Sequence, residues 1–145
     1  MPALSQNLIF HPFTNTDTVS LTHTAGMGSS FYSDKIKGEG YFGGANGFHT
    51  VFWKITNFVG TIQIQGTLAS NPQDDDWVPI TLMSPSNRYS VDTTGLIAAI
   101  GTDTVDYTAQ TTESKVYNFT GNFVWLRAHI DYFTIGTMNG ISINR

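Results

Sequence analysis

The sequence predicts an all-β fold: a single antiparallel β-sandwich of jelly-roll-like form. Three observations carry this. Apolar and polar residues alternate with a two-residue period in several runs, which sets them on opposite faces of a pleated strand. Gly, Asn, Asp and Pro clusters punctuate those runs at short intervals, as they do in sandwiches and barrels. Twenty of the 145 residues are Thr, a β-branched type that favours extended backbone.

Along the chain, residues 1–15 lack a regular pattern and read as an N-terminal arm, with residues 16–145 forming the sandwich domain. Short strand candidates follow at Val19 to Thr24 and Lys35 to Phe42, with Met27 to Ser33 as a loop between them. Gly43 to Gly47 is a turn cluster. Phe48 to Ile55 is aromatic and β-branched, hence a strand. In Asn57 to Trp77, Ile62, Ile64 and Leu68 alternate with Gln63, Gln65 and Thr67, and Asn71-Pro72 and Asp74-Asp75-Asp76 make a polar turn. Trp77 to Met83 alternates again through Val78, Ile80 and Leu82. Ser84 to Asn87 is a turn. Leu96 to Ile100 is too short for a helix, and Thr104 to Thr108 and Lys115 to Phe119 are two further short strands. Phe123 to Ile130 sets Val124, Leu126, Ala128 and Ile130 on one face and Phe123, Trp125, Arg127 and His129 on the other. Asn139-Gly140 is a hairpin signal, since both residues accept positive φ, and Ile141 and Ile143 mark a last strand. The tetrapeptide Asn57-Phe58-Val59-Gly60 is echoed by Asn118-Phe119-Thr120-Gly121, each offering a Phe to the core.

Composition narrows the function classes. Charged residues are 12% of the chain, about half the usual share. The net charge is −4 and the seven basic residues form no run, which argues against a phosphate-tracking patch and so against nucleic acid. No apolar stretch is long enough to span a bilayer, and Met1 to Phe13 lacks the basic and apolar regions of a signal peptide. There is no Cys, so disulfides and thiolate-bound metals are excluded and assembly in a reducing cytoplasm fits.

No reaction chemistry is legible. His11, His23, His49 and His129 have no metal-ligand spacing. Asp74 to Asp76 lacks the glycine and distant Glu of a calcium loop and reads as a solvated turn. The only two Glu, Glu39 and Glu113, face no evident carboxylate partner for acid–base work. The expectation is therefore a protein with no catalytic residue, no metal and no cofactor. Its candidate contact surface is Trp125, Arg127 and His129, an outward face too apolar to stand bare, together with Trp77 beside the acidic turn. Trp53 and Trp125, in mid-strand, are expected to be buried.

The run Gly38-Glu-Gly-Tyr-Phe-Gly-Gly-Ala-Asn-Gly-Phe-His-Thr-Val51, with Asn57 to Leu68, Asp76-Trp77, Asn118 to Ala128 and the ending Gly140-Ile-Ser-Ile-Asn144, resembles small virion structural proteins of tailed bacteriophages, especially those infecting marine cyanobacteria. The resemblance covers residues 38 to 145. It implies a particle component, such as a capsid decoration or accessory subunit, assembled in the host cytoplasm. Its partners would be other virion proteins and copies of itself. A carbohydrate-binding module of a tail or fibre, touching a host-surface glycan, is the alternative.

Overall fold

The computed structural model describes residues 5–12, 17–43, 47–84, 89–91, 97–99 and 101–144. Among them the expected all-β antiparallel sandwich is present, and it is built on three long strands. In chain order the strands are β1 (Ser5–Asn7), β2 (Leu21–Thr22), β3 (Phe31–Tyr32), β4 (Ile36–Lys37), β5 (Phe48–Thr67), β6 (Val78–Pro79), β7 (Leu82–Met83), β8 (Tyr89–Val91), β9 (Ile97–Ala99), β10 (Gly101–Thr102), β11 (Val105–Thr120) and β12 (Trp125–Asn144). Two single 3-10 turns, Glu39–Phe42 and Asp74–Asp76, interrupt them.

β5 is the spine. It pairs with β12 along one edge and with β11 and β6 along the other. The free edge of β12 takes the short strands β4, β3, β2 and β1 in turn. Among the described residues β8 and β9 pair only with each other.

A 20-residue strand such as β5 would run about 66 Å if straight, much longer than a domain of this size is wide. The long strands therefore bend, and the bends are written in the backbone. Asn57 and Tyr132 both adopt φ 50°. The β5–β12 register shifts between Asp131 and Ile135, and the β5–β11 register shifts between Tyr107 and Thr111.

Along β5 and β12 the bends also swap which residues point inward, because a single inserted residue reverses the pleat. In β5 the buried set is His49, Val51, Trp53 and Ile55 before the bend, and Phe58, Ile62 and Ile64 after it. In β12 it runs Leu126, Ala128, Ile130, then Phe133, Met138, Ile141 and Ile143. Both halves thus feed one core. Facing pairs include Ile62 with Ile130, Ile64 with Ala128 and Trp53 with Ile141. The Phe58 ring lies 5.2 Å from Phe133 and 5.8 Å from Tyr107 at the bends. The buried indole N–H of Trp53 donates to the Tyr107 hydroxyl (3.2 Å), which donates on to Glu113 (2.7 Å). Burial pushes the Tyr107 phenol well above its usual range.

Several expectations change. The described part of the stretch read as an arm is sheet and core: β1 pairs with Ser142 to Asn144, and Leu8 and Phe10 are fully buried. Sequence pattern missed this because the segment packs as an edge whose partner is at the other end of the chain. Asn139-Gly140 is no hairpin; it lies inside β12 at a register shift, where the Asn139 side chain accepts a hydrogen bond from Thr56. Thr104 to Thr108 and Lys115 to Phe119 are one strand, β11. Leu68 falls just past the end of β5 and is 72% exposed, while Thr67 is buried. Phe123 precedes β12, so the alternation does not bind it, and it turns inward against Gly66 and the core. Residues 1–4, 13–15, 44–46, 85–87, 96 and 100, on which parts of the arm and turn readings and of the Leu96 to Ile100 reading fall, lie outside the described residues.

Candidate contact surface

The outward face of the first half of β12 is built by strict alternation. Leu126, Ala128 and Ile130 go to the core, so Trp125, Arg127 and His129 project the other way. β5 contributes Gln65 opposite Arg127 and Gln63 opposite His129. On the other edge, β3 sets Tyr32 opposite His129 and β4 sets Lys37 opposite Trp125. Trp77 arrives from the acidic 3-10 turn, just before β6 pairs with the end of β5. Gln73 caps that turn: its backbone N–H donates to the Asp76 carboxylate at 2.7 Å.

Of the four residues named from sequence, Trp77, Arg127 and His129 are brought together, and Arg127 is the hub. Its guanidinium carbon lies 4.3 Å from the ring centre of Tyr32 and 4.3 Å from that of Trp77. Its Nε donates to the Gln65 side-chain oxygen at 2.7 Å, and Gln65 donates in turn to Gln63 at 2.7 Å. Tyr32 stacks on His129, with ring centres 4.1 Å apart and planes within 3°. The Nε2 atom of His129 shares a hydrogen bond of 2.9 Å with the Ser30 hydroxyl. Burial lowers the pKa of both His129 and Arg127.

A second group adjoins it. Trp125, expected to be buried, is half-covered by its own chain. Its indole N–H donates to the Ser70 carbonyl at 3.0 Å, Lys35 Nζ stands 4.9 Å from its ring centre, and the Tyr41 ring is 5.1 Å away. Lys37 Nζ lies 4.5 Å over Tyr41. Between the groups, Asp34, Lys35, Asp74, Trp77 and Arg127 line a polar cleft of about 210 Å³.

This face is therefore a set of aromatic rings, each held against a cation or an imidazole. Cations over ring faces are attracted by the ring quadrupole. Such pairs fix side chains that would otherwise be mobile. Tyr32, Lys35, Lys37 and Tyr41 were not found from sequence. Tyr32 sits in a two-residue strand whose partner is 97 positions away, and no local pattern reports such a pairing.

The other His residues are held structurally. His11 bridges Asp17 (2.7 Å) and Asp34 (2.9 Å). His49 is buried, stacks on Phe119 and donates from Nε2 to the Gly121 carbonyl at 3.2 Å. His23 packs edge-on to Phe133. Among the described residues, no cluster of three or more His, Asp or Glu is arranged to hold a metal ion.

No family model matches the sequence, and no curated protein does. Among solved structures the chain is similar to the SPBc2 prophage-derived protein YomS, at 9% identity over 86% of this chain and 89% of that one, with a TM-score of 0.47. It is similar to the K1 cleaved adhesin domain of Lys-gingipain from Porphyromonas gingivalis W83, at 9% identity over 99% and 92%, with a TM-score of 0.46. It is also similar to the carbohydrate binding module CBM6cm-2 from Cellvibrio mixtus lichenase 5A, solved with cellotriose, at 10% identity over 98% and 87%, with a TM-score of 0.40. At these scores the likeness is one of β-sandwich form and carries no argument about what this chain binds.

Proposed function

We propose that the protein is a non-enzymatic structural subunit of a bacteriophage particle, a capsid decoration or accessory component, and that it works by surface contact through the Trp77–Tyr32–Trp125–Arg127–His129 face. Its partners are other virion proteins and copies of itself. The observation that carries the reading is the engagement of that face's rings by Arg127, Lys35 and Lys37. A protein surface can meet such a mosaic with carboxylates and apolar side chains together, and Trp, Tyr and Arg are the residue types that anchor protein interfaces. The resemblance of residues 38 to 145 to phage virion proteins supports the particle setting. Mass spectrometry of purified particles tests it. The chain is expected in intact virions, and an Arg127→Glu variant that still folds is expected to drop out of them. Absence of the wild-type chain from intact particles ends the proposal.

The second reading is a sandwich module that touches a host-surface carbohydrate with the same face. The partial exposure of Tyr32 (48%) and Tyr41 (45%) favours it. A sugar stacks on an open ring face, however, and here cations already stand over both rings. Glycan-array binding that is lost in Trp77→Ala would favour this second reading over the first.

A further inference from the structure

The open ring lies elsewhere. Where β5 passes through Gly60 and Thr61, the ladders on both of its sides are interrupted, after Tyr107 on β11 and after Asp131 on β12. The gap forms a cleft of about 460 Å³ whose lining includes Gly60, Thr61, Asp106, Thr108, Tyr132 and Thr134. That volume lies within the usual range for small-molecule sites.

Two residues, Tyr132 and Asp106, mark the cleft as more than a packing gap. Tyr132 is 71% exposed, and among the described residues no ring or cation stands over it. It holds φ 50°, a strained conformation for a bulky residue, kept in place by its own N–H donating to the Asp131 carboxylate at 2.8 Å. Strain of this kind persists where the surrounding structure over-determines it, and it concentrates at functional sites. Gly60 also lines the cleft, but a Cβ there would point into the core, 2.8 Å from the buried Phe58 ring and 3.2 Å from the Phe133 Cα. The Asp106 carboxylate, opposite Thr61 in the ladder, accepts a hydrogen bond from the Thr61 hydroxyl at 3.0 Å.

We propose that this cleft binds a neutral saccharide unit. The negative face of the Tyr132 ring attracts the weakly positive C–H groups of a sugar face. Asp106 accepts charge-assisted hydrogen bonds from sugar hydroxyls. The hydroxyls of Thr61, Thr108 and Thr134 can both donate and accept, as sugar hydroxyls do. Among the described residues no Lys or Arg lines the cleft, and the one carboxylate there, that of Asp106, repels anions, so acidic sugars and phosphates are disfavoured.

The test is an NMR titration of the isotope-labelled full chain with glucose, galactose, mannose and N-acetylglucosamine, with choline as a cationic probe. At least one sugar is expected to give saturable shifts at the amides of Gly60, Thr61, Thr108, Tyr132 and Thr134, with the amides of Trp77 and Arg127 unmoved. Tyr132→Asn removes the ring while keeping a residue that tolerates positive φ. It is expected to weaken binding by about tenfold or more, which corresponds to about 1.4 kcal/mol. Asp106→Asn, which can still accept from Thr61, is expected to weaken it similarly and covers the case in which the first variant does not fold. The proposal is overturned if no sugar shifts these amides, if shifts appear only on the Trp77–Arg127 face, if only choline binds, or if a folded variant binds as tightly as wild type.

Discussion

Two histidines on this molecule should respond to pH in opposite directions. His11 is exposed and bridges two carboxylates, and its pKa is raised, first by the hydrogen bond to Asp34 and then by the charges of Asp34 and Asp17. Its folded-state value therefore lies above the unfolded value of about 6.5. The stabilisation it gives is fully present below that value and is lost as pH rises through the folded pKa. His129 is lowered, chiefly by burial, with Arg127 adding to the effect and Asp131 opposing it. Its contribution is present above the unfolded value and is lost as pH falls toward the folded pKa. Both are read by following the imidazole resonances through a pH titration. His11 is expected to titrate above the ordinary value and to fall back toward it in Asp34→Asn. His129 is expected to titrate below the ordinary value. A His11 value at or below the ordinary one would show that the bridge to Asp17 and Asp34 does not hold in solution. A raised His129 would mean that the Ser30–His129–Tyr32 packing is open.

At the scale of elements, the bends of β5 and β12 decide how well the halves of the sandwich close. They meet at Gly136, which has φ 87°, and a Cβ there would stand 2.1 Å from the Asn57 carbonyl oxygen. Gly136→Ala thus combines a left-handed backbone penalty with a backbone clash. Each is a cost of about 1–3 kcal/mol, so chemical denaturation should show a loss of at least about 2 kcal/mol. Asn57→Gly, at a position that already holds positive φ, should be close to neutral. Equal losses in the two variants would mean that the bends do not meet as described. The same bends explain what was legible in the sequence. The faces of Ile62 and Ile64 against Gln63 and Gln65, and of Leu126, Ala128 and Ile130 against Trp125, Arg127 and His129, were readable because the period of two is unbroken there. Past Ile130 the inward set changes parity at Phe133, again at Met138 and again at Ile141, and a fixed period cannot follow it. Asn139-Gly140 carried the residue types of a hairpin, yet the pairing of β12 with β5 continues through it and turns it into a bulge. The sites divide in the same way. Trp77, Trp125, Arg127 and His129 were visible as residues on one strand or beside one turn. The rings and cations that meet them, and the whole Tyr132 cleft, come from segments joined only by long-range pairing.

At the scale of the molecule, the proposed contact face would set which assemblies the chain forms with itself. Three of the seven basic residues in the sequence, Lys35, Lys37 and Arg127, are gathered there over aromatic rings, although the chain as a whole carries a net charge of −4. A twofold contact would lay this face on its own copy, and like cations would then stand opposite one another except where Asp34 and Asp74, which lie between them, intervene. A head-to-tail contact avoids this, because the cations of one copy then meet the more acidic remainder of the next. Head-to-tail contacts that close generate rings, and rings suit the symmetric sites of a particle. If copies of the chain are the partner, light scattering at micromolar concentration and low salt should give a mass above that of a dimer. That mass should fall as salt is raised, since screening shortens the reach of the charges. Arg127→Glu should lower it too, by replacing the guanidinium that holds Trp77 and Tyr32 in place. A strictly monomeric wild type at low salt, or a salt-insensitive dimer that buries this face, would sink the ring and leave other particle proteins as the partner to be sought.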